Sequence, residues 1–441
     1  MRVSPTLERV AAELCVGSES TWMSATRKIS RIFPFVFAAS AWACGPGEIR
    51  DDLTSTPGIG GSGGDVRADA TSPNGIGGNA PSGTGGMVNG SGGVAGGTGG
   101  GAPVQDAAID RRTSDAALVD ARGSTGPHST FYVDGRALRD PCGQEVILRG
   151  INKMLVYADR SCASCAEIAR TGANAIRMMW FTAVPLSQAE MAVNNAVSSG
   201  LIPILEMQDA TCDALGSSVD AIVDFWVQSA SVSFIQKHQA HLIVNIANEA
   251  GDSESASAFR TYYAGAVQKM RAAGIHTPLM IDANNCGRNG ELLLSVAPGL
   301  LSDDPEHNLL FSMHWYDSGS SQTARVTNVM QTAVTNNIPF LIGEFANVGV
   351  PQCSTSPGVP YKQIMAEAQA RGIGYIPWEW GPGNQDCKPA TGNSPFDMTT
   401  ASSFATLQPG WAMEVTMTDP ASIKNTSVRS AFITGGGSTC P

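Results

Sequence analysis

Residues 127–441 predict an α/β domain, a (β/α)8 TIM barrel, on three observations. Eight short apolar, β-branched runs recur at intervals of roughly 30 to 40 residues, the repeat of a strand–helix unit. Helix-like stretches separate them, and several close with Gly, as helix C-termini do. The runs are apolar almost without alternation, as expected for a parallel sheet covered on both faces. A doubly wound open sheet is the alternative, but no Gly-rich phosphate loop follows the first run.

Taken in order, the predicted strands are "EVILRGI" (145–151), "NAIRMM" (174–179), "LIPILEM" (201–207) and "HLIVNIA" (241–247). They continue with "PLMIDA" (278–283), "NLLFSMH" (308–314), "PFLIGEF" (339–345) and "GIGYIPW" (372–378). Helices are predicted in "SCAEIARTG", "SQAEMAVNNAVSSG", "SSVDAIVDFWVQSASVSFIQKH" and "SASAFRTYYAGAVQKMRAAG". Ahead of the first strand, "FYVDGRALRDPCGQEVI" reads as a small hairpin closing the lower end of the barrel.

Two further segments precede the barrel. Residues 1–44 read as an over-extended start followed by a signal of lipoprotein type from Met23: Arg27, Lys28 and Arg31, then an apolar run, then Cys44. That run is too short to span a bilayer as a helix. Residues 45–126 are Gly-rich and of low complexity, a composition that buries no core and serves as a disordered tether. The layout is that of an exported or surface-displayed monomer whose one membrane attachment is a lipid on Cys44.

The 441 residues carry a formal net charge of -11. Nucleic acid and anionic membrane surfaces want clustered Lys and Arg, so neither is an expected partner. Eight cysteines remain besides Cys15 and Cys44, an even number that predicts up to four disulfides in an exported domain. "CASC" (162–165) lacks a second CxxC or a His pair, so it reads as structural, and no metal or cofactor is expected.

In such barrels the chemistry lies at the carboxyl ends of the strands. Those ends carry Asn152, Arg177, Glu206, Gln208, Asp209, Asn248, Glu249, Asp282, Asn284, His314, Tyr316, Glu344, Trp378, Glu379 and Trp380. Glu249 and Glu344 end the fourth and seventh strands, which face each other across a barrel. A separation of about 5 Å would suit a retaining glycosidase, with one Glu as acid/base and the other as nucleophile. The acid needs a raised pKa, and the nucleophile must stay ionised, which Arg177 would favour. Asn248 is placed to bond a sugar 2-hydroxyl, and Trp378 and Trp380 offer flat faces for pyranose rings. A nucleophile elbow of the G-x-S-x-G type does not occur.

The motifs "IVNIANE", "LMIDA", "FSMHWY", "FLIGEF" and "IPWEW" together resemble the strand ends of glycoside hydrolase family 5. "LEMQDAT", "NIANE" and the opening "FYVDGRALRDPCGQEVILRGIN" are similar to its bacterial endo-β-1,4-mannanase branch. The likeness runs from about 130 to 435 and includes "GWAMEVTMTDPASIKNTSVRSAF", similar to that branch's final strand, which implies a C-terminal strand extension. The resemblance implies a retaining hydrolase of β-1,4-linked polysaccharide, β-mannan first and then cellulose or β-glucan. It makes Glu249 the acid/base and Glu344 the nucleophile. Arg177 and Tyr316 attend the nucleophile, His314 lines the cleft, Asn248 holds the 2-hydroxyl and Trp378 floors the central subsite. The chain departs from the family at Gln208, where a His is usual, at Tyr157, nearest a usual Trp, and at Ala250, where mannanases tend to have Trp. All three departures touch the expected substrate cleft. The competing expectation is a tethered carbohydrate-binding protein on a decayed hydrolase scaffold.

Overall fold

The computed structural model of the protein describes residues 128–440. The signal, Cys44 and the tether lie outside the described residues. A hairpin of β1 (Tyr132–Asp134) and β2 (Ala137–Arg139) comes first. Eight parallel strands follow in chain order: β3 (Gly150–Lys153), β4 (Ala175–Trp180), β5 (Ile202–Met207), β6 (Ile243–Asn245), β7 (Leu279–Asp282), β8 (Leu309–Trp315), β9 (Phe340–Phe345) and β10 (Gly374–Tyr375). The first and last meet through a parallel bridge between Arg149 and Tyr375, and Asn152 N donates to Pro377 O at 3.0 Å. The sheet thereby closes into the predicted barrel.

Side chains on a strand alternate between faces. The inward-facing set reads Ile202, Ile204, Glu206 on β5, and Met280, Asp282 on β7. It is apolar low in the barrel and polar at the carboxyl ends. Ala175, Ile202, Ile204, Ile243, Met280, Leu310 and Leu341 join Phe131, Leu138, Val146 and Leu148 of the hairpin region in one buried cluster. The hairpin therefore plugs the lower end, pinned where Asn308 Oδ1 accepts from Val133 N at 3.1 Å. The outward set, including Ile176, Leu205, Val244 and Ile281, forms a larger cluster under the helices. Because both faces are apolar at the strand starts, the sequence shows runs without alternation.

The first strand begins later than predicted. Glu145 bridges Arg139, and Val146 N donates to Leu138 O, so residues 145–146 belong to the plug. The last strand is short because Pro377 has no N–H to extend the ladder. The stretch 217–238 divides into helices Ser217–Trp226 and Ser229–His238, separated where Gln228 is extended. The expected C-terminal strand is not formed. Residues 411–434 instead form short helical turns, with Trp411, Ala412, Val415 and Thr416 buried at helical spacing and Ser430 capping the last turn.

All eight predicted cysteines pair, as Cys142–Cys440, Cys162–Cys165, Cys212–Cys286 and Cys353–Cys387. The first ties the C-terminal region to the plug.

Candidate active site

Arg177, fully buried on β4, organises the barrel mouth. Its Nη1 donates to Glu344 Oε1 at 2.7 Å and Asn152 Oδ1 at 3.2 Å. Its Nη2 donates to Asn248 Oδ1 at 2.7 Å and Asp282 Oδ2 at 3.2 Å, and its Nε to Asn245 Oδ1 at 2.9 Å. All five guanidinium donors are matched. Asn152 is locked in turn to the carbonyls of Gly343, Ile376 and Pro377, fixing the seam where the barrel closes.

Glu249 stands just past β6, where the chain leaves the barrel wall. Its φ of +49° is left-handed, a conformation that costs a non-Gly residue on the order of 1–3 kcal/mol and tends to persist at functional sites. The surroundings hold it there: Glu249 N donates to Asp282 Oδ2 at 3.3 Å, and Oε1 lies 2.7 Å from His314 Nδ1. Asn248 is fixed separately, its Nδ2 donating to Thr211 Oγ1 at 3.0 Å. Glu344, on β9, accepts from Arg177 on one oxygen and from Tyr316 Oη, at 2.7 Å, on the other. His314 Nδ1 also lies 3.6 Å from Glu344 Oε2. Ligating atoms of Glu249, His314 and Glu344 all fall within 4.8 Å of one another. A cation has the spacing it would need there, but the positive charge is supplied by Arg177 and His314.

Electrostatics follow from burial and crowding. Burial pushes the Glu344 carboxyl above its ordinary value, against the pull of His314 and Arg177. Burial opposes charge on His314, yet Glu344, Asp282 and the bond to Glu249 outweigh it and raise its pKa to about 9. At neutral pH His314 therefore holds a proton. Glu206, wholly buried beside Arg177 Nη2 at 3.5 Å, is pushed up to about 8, chiefly by burial. Burial likewise lifts Tyr316 well above its ordinary value, so its hydroxyl stays a donor.

The structure brings Arg177, Asn248, Glu249, His314, Tyr316 and Glu344 into one hydrogen-bonded set. Trp378 follows β9 closely, its N donating to Phe345 O at 2.8 Å, and keeps 7% of its surface exposed. Trp380 keeps none: it packs in the core, so the expectation that it stacks on sugar is corrected. Gln208 is half-buried and bonds neither carboxylate; its Oε1 is buried without a partner among the described residues. Asp209 accepts from Thr182 N and Oγ1 and Asn284 donates to Glu254 O, so both brace loops. Ala250 is fully buried and does not line the cleft, whereas Tyr157 is 60% exposed. Sequence reasoning missed Asn245 and Thr211. Asn245 hides in the apolar run "IVNIANE", and only its inward parity could have marked it.

Comparison with known proteins agrees with this geometry. Residues 140–384 match the family described as cellulase (glycosyl hydrolase family 5). A mannan endo-1,4-beta-mannosidase of Cellvibrio japonicus (strain Ueda107) is 31% identical over 320 residues, 70% of this chain and 70% of the relative. One from Streptomyces lividans is 30% identical over 248 residues, 54% of this chain and 62% of that protein. Among solved structures, the mannotriose complex of Thermomonospora fusca beta-mannanase superposes with a TM-score of 0.61 at 26% identity, covering 69% of this chain and 99% of that one. The beta-mannanase from Streptomyces thermolilacinus gives 0.60 at 26% identity, with the same coverage. This chain belongs to glycosyl hydrolase family 5.

Proposed function

We propose that this glycosidase hydrolyses β-1,4-linked mannan by double displacement, with Glu344 as nucleophile and Glu249 as acid/base. The observation that carries the reading is the approach of the two carboxylates, whose oxygens lie within 4.8 Å across the barrel mouth. That closeness suits a retaining mechanism and leaves no room for the water that inversion places between the groups. The mannan-degrading relatives support the choice of sugar.

In the first step a Glu344 oxygen attacks the anomeric carbon while Glu249 gives its proton to the glycosidic oxygen, and the leaving chain departs as an alcohol. In the second, Glu249 takes a proton from water, the oxygen of that water attacks the same carbon, and Glu344 leaves. Arg177 and Tyr316 hold Glu344 in line and favour its charged form. His314 shares the acid's proton, Asn248 bonds the 2-hydroxyl, and Trp378 floors the subsite. Gln208 is assigned to the cleft wall. A decayed, merely binding scaffold is disfavoured because Glu249 keeps its bond to His314 and Glu344 its bonds to Arg177 and Tyr316.

The same reading takes residues 1–44 as an over-extended start and a lipoprotein-type signal, 45–126 as a tether to a lipid on Cys44, and 127–441 as a monomeric catalytic domain. A reducing-sugar assay on mannan, cellulose and β-glucan tests the activity. Release from mannan that Glu344→Ala abolishes supports it; sugar binding without hydrolysis, unchanged by Glu344→Ala, overturns it.

A further inference from the structure

The Cys212–Cys286 disulfide joins the loop after β5 to the loop after β7, passing beside the loop after β6 that carries Glu249. Its position is unusual among the four. Cys212 Sγ, which has no hydrogen to donate once bonded, lies 3.6 Å from Glu249 Oε2. The residues flanking each half-cystine hold the catalytic set. On one side, Thr211 Oγ1 accepts from Asn248, and Asp213 O accepts from Gly251 N at 2.7 Å and Asp252 N at 3.0 Å. On the other, Gly287 O accepts from His314 N at 2.8 Å, and a Cβ on Gly287 would sit 2.7 Å from His314 Cβ. The two walls of the Glu249 loop are thus each bonded to residues next to one sulfur. Cys212, Glu249 and Cys286 all have left-handed backbones, at φ of 60°, 49° and 51°. Such conformations persist only where neighbours over-determine them.

We propose that Cys212–Cys286 is a positioning device for the acid/base: it holds Glu249 and His314 in their 2.7 Å contact, so that protonation of the leaving group depends on this bond. The proposal rests on Glu249 being the acid. It predicts a selective defect. With the bond gone, the loops after β5 and β7 part, Glu249 relaxes out of its left-handed conformation, and proton delivery fails. Glu344, held by Arg177 and Tyr316 on other strands, keeps its attack.

The test compares kcat/KM, which reports the first displacement, on two substrates. Mannohexaose has a poor leaving group and needs the acid. A 2,4-dinitrophenyl β-mannoside has a leaving group that needs no proton. In the full chain, Cys212→Ala/Cys286→Ala is expected to lose at least about tenfold on mannohexaose, at the lower edge of what a positioned acid contributes. On the aryl mannoside it should stay within about twofold, and the alkaline limb of the mannohexaose profile should move. A parallel fall on both substrates, or no change on either, overturns the proposal. If the alanine pair does not fold by circular dichroism, Cys212→Ser/Cys286→Ser is measured the same way. Failure of both to fold makes the bond a staple of the fold and also overturns it. Glu249→Ala runs alongside. If it shows the split and the cysteine variants do not, only this proposal fails. If Glu249→Ala loses both substrates equally, the acid assignment itself fails.

Discussion

Arg177 Nη1 sits 2.7 Å from Glu344 Oε1 in a pair almost wholly withdrawn from water. This one contact links the fold to the chemistry. The guanidinium is held by groups on five strands or strand ends, so the barrel's closure determines where the Glu344 carboxylate points.

Removing that cation should damage both. A buried pair broken on one side leaves an uncompensated charge and typically costs about 3–5 kcal/mol. Arg177→Ala is expected to lower the unfolding midpoint accordingly. Arg177 also pulls the Glu344 pKa down against burial. Without it, Glu344 ionises at higher pH, and the acid limb of kcat/KM should move upward. A variant that keeps the wild-type acid limb would show that Arg177 does not tune Glu344.

The His314–Glu249 pair should govern the alkaline limb. Its proton is held with a pKa raised to about 9 on His314, so wild-type activity on native polysaccharide should persist into mildly alkaline solution. His314→Asn removes the raised group, and the alkaline limb should move to lower pH. Substrates with good leaving groups should show little of this limb in either protein.

Glu206 makes stability depend on pH. Its pKa rises from 4.5 to about 8 on folding, so the folded protein keeps a proton that the unfolded chain has lost between those values. Its contribution is therefore full below pH 4.5 and declines as pH rises through 8. Glu206→Gln keeps a neutral side chain of the same shape. Denaturant midpoints measured from pH 5 to 8.5 should fall less steeply in that variant. The slope remaining includes His314, raised from 6.5 to about 9, and the buried Glu379, raised from 4.5 to about 7.

The two tryptophans should separate cleanly. Trp380→Ala opens a cavity in the core and should cost about 3–5 kcal/mol of stability. Trp378→Ala should chiefly raise KM for mannan, with a smaller loss of stability. If Trp380→Ala raises KM with its melting temperature intact, its placement in the core is wrong.

Much of this was legible in the sequence because strand ends and chemistry coincide. Asn248, Glu249 and Glu344 each terminate an apolar run, and a barrel forces such ends onto one rim. The strand cores were found to within a few residues for the same reason. What escaped was set by direction and not by composition. Asn245 lies inside an apolar run and not at its end, and Trp380 is buried where Trp378 keeps some exposure. Val146 opens an apolar run, yet it and Glu145 pair with the plug. The final segment was expected as a strand from the resemblance alone, yet its buried residues fall at helical spacing. Disulfide pairing, which sets the loops around Glu249, depends on distances that the count of cysteines does not contain.

The most direct measurement of the central claim is to inactivate the enzyme with 2-deoxy-2-fluoro-β-mannosyl fluoride and map its peptides by mass spectrometry. The fluorine slows both displacements, and the activated leaving group allows the first to proceed. A single fluoromannosyl adduct on Glu344, within Phe340–Phe345, is the predicted result. An adduct on Glu249, or time-dependent turnover with no covalent species, would contradict it.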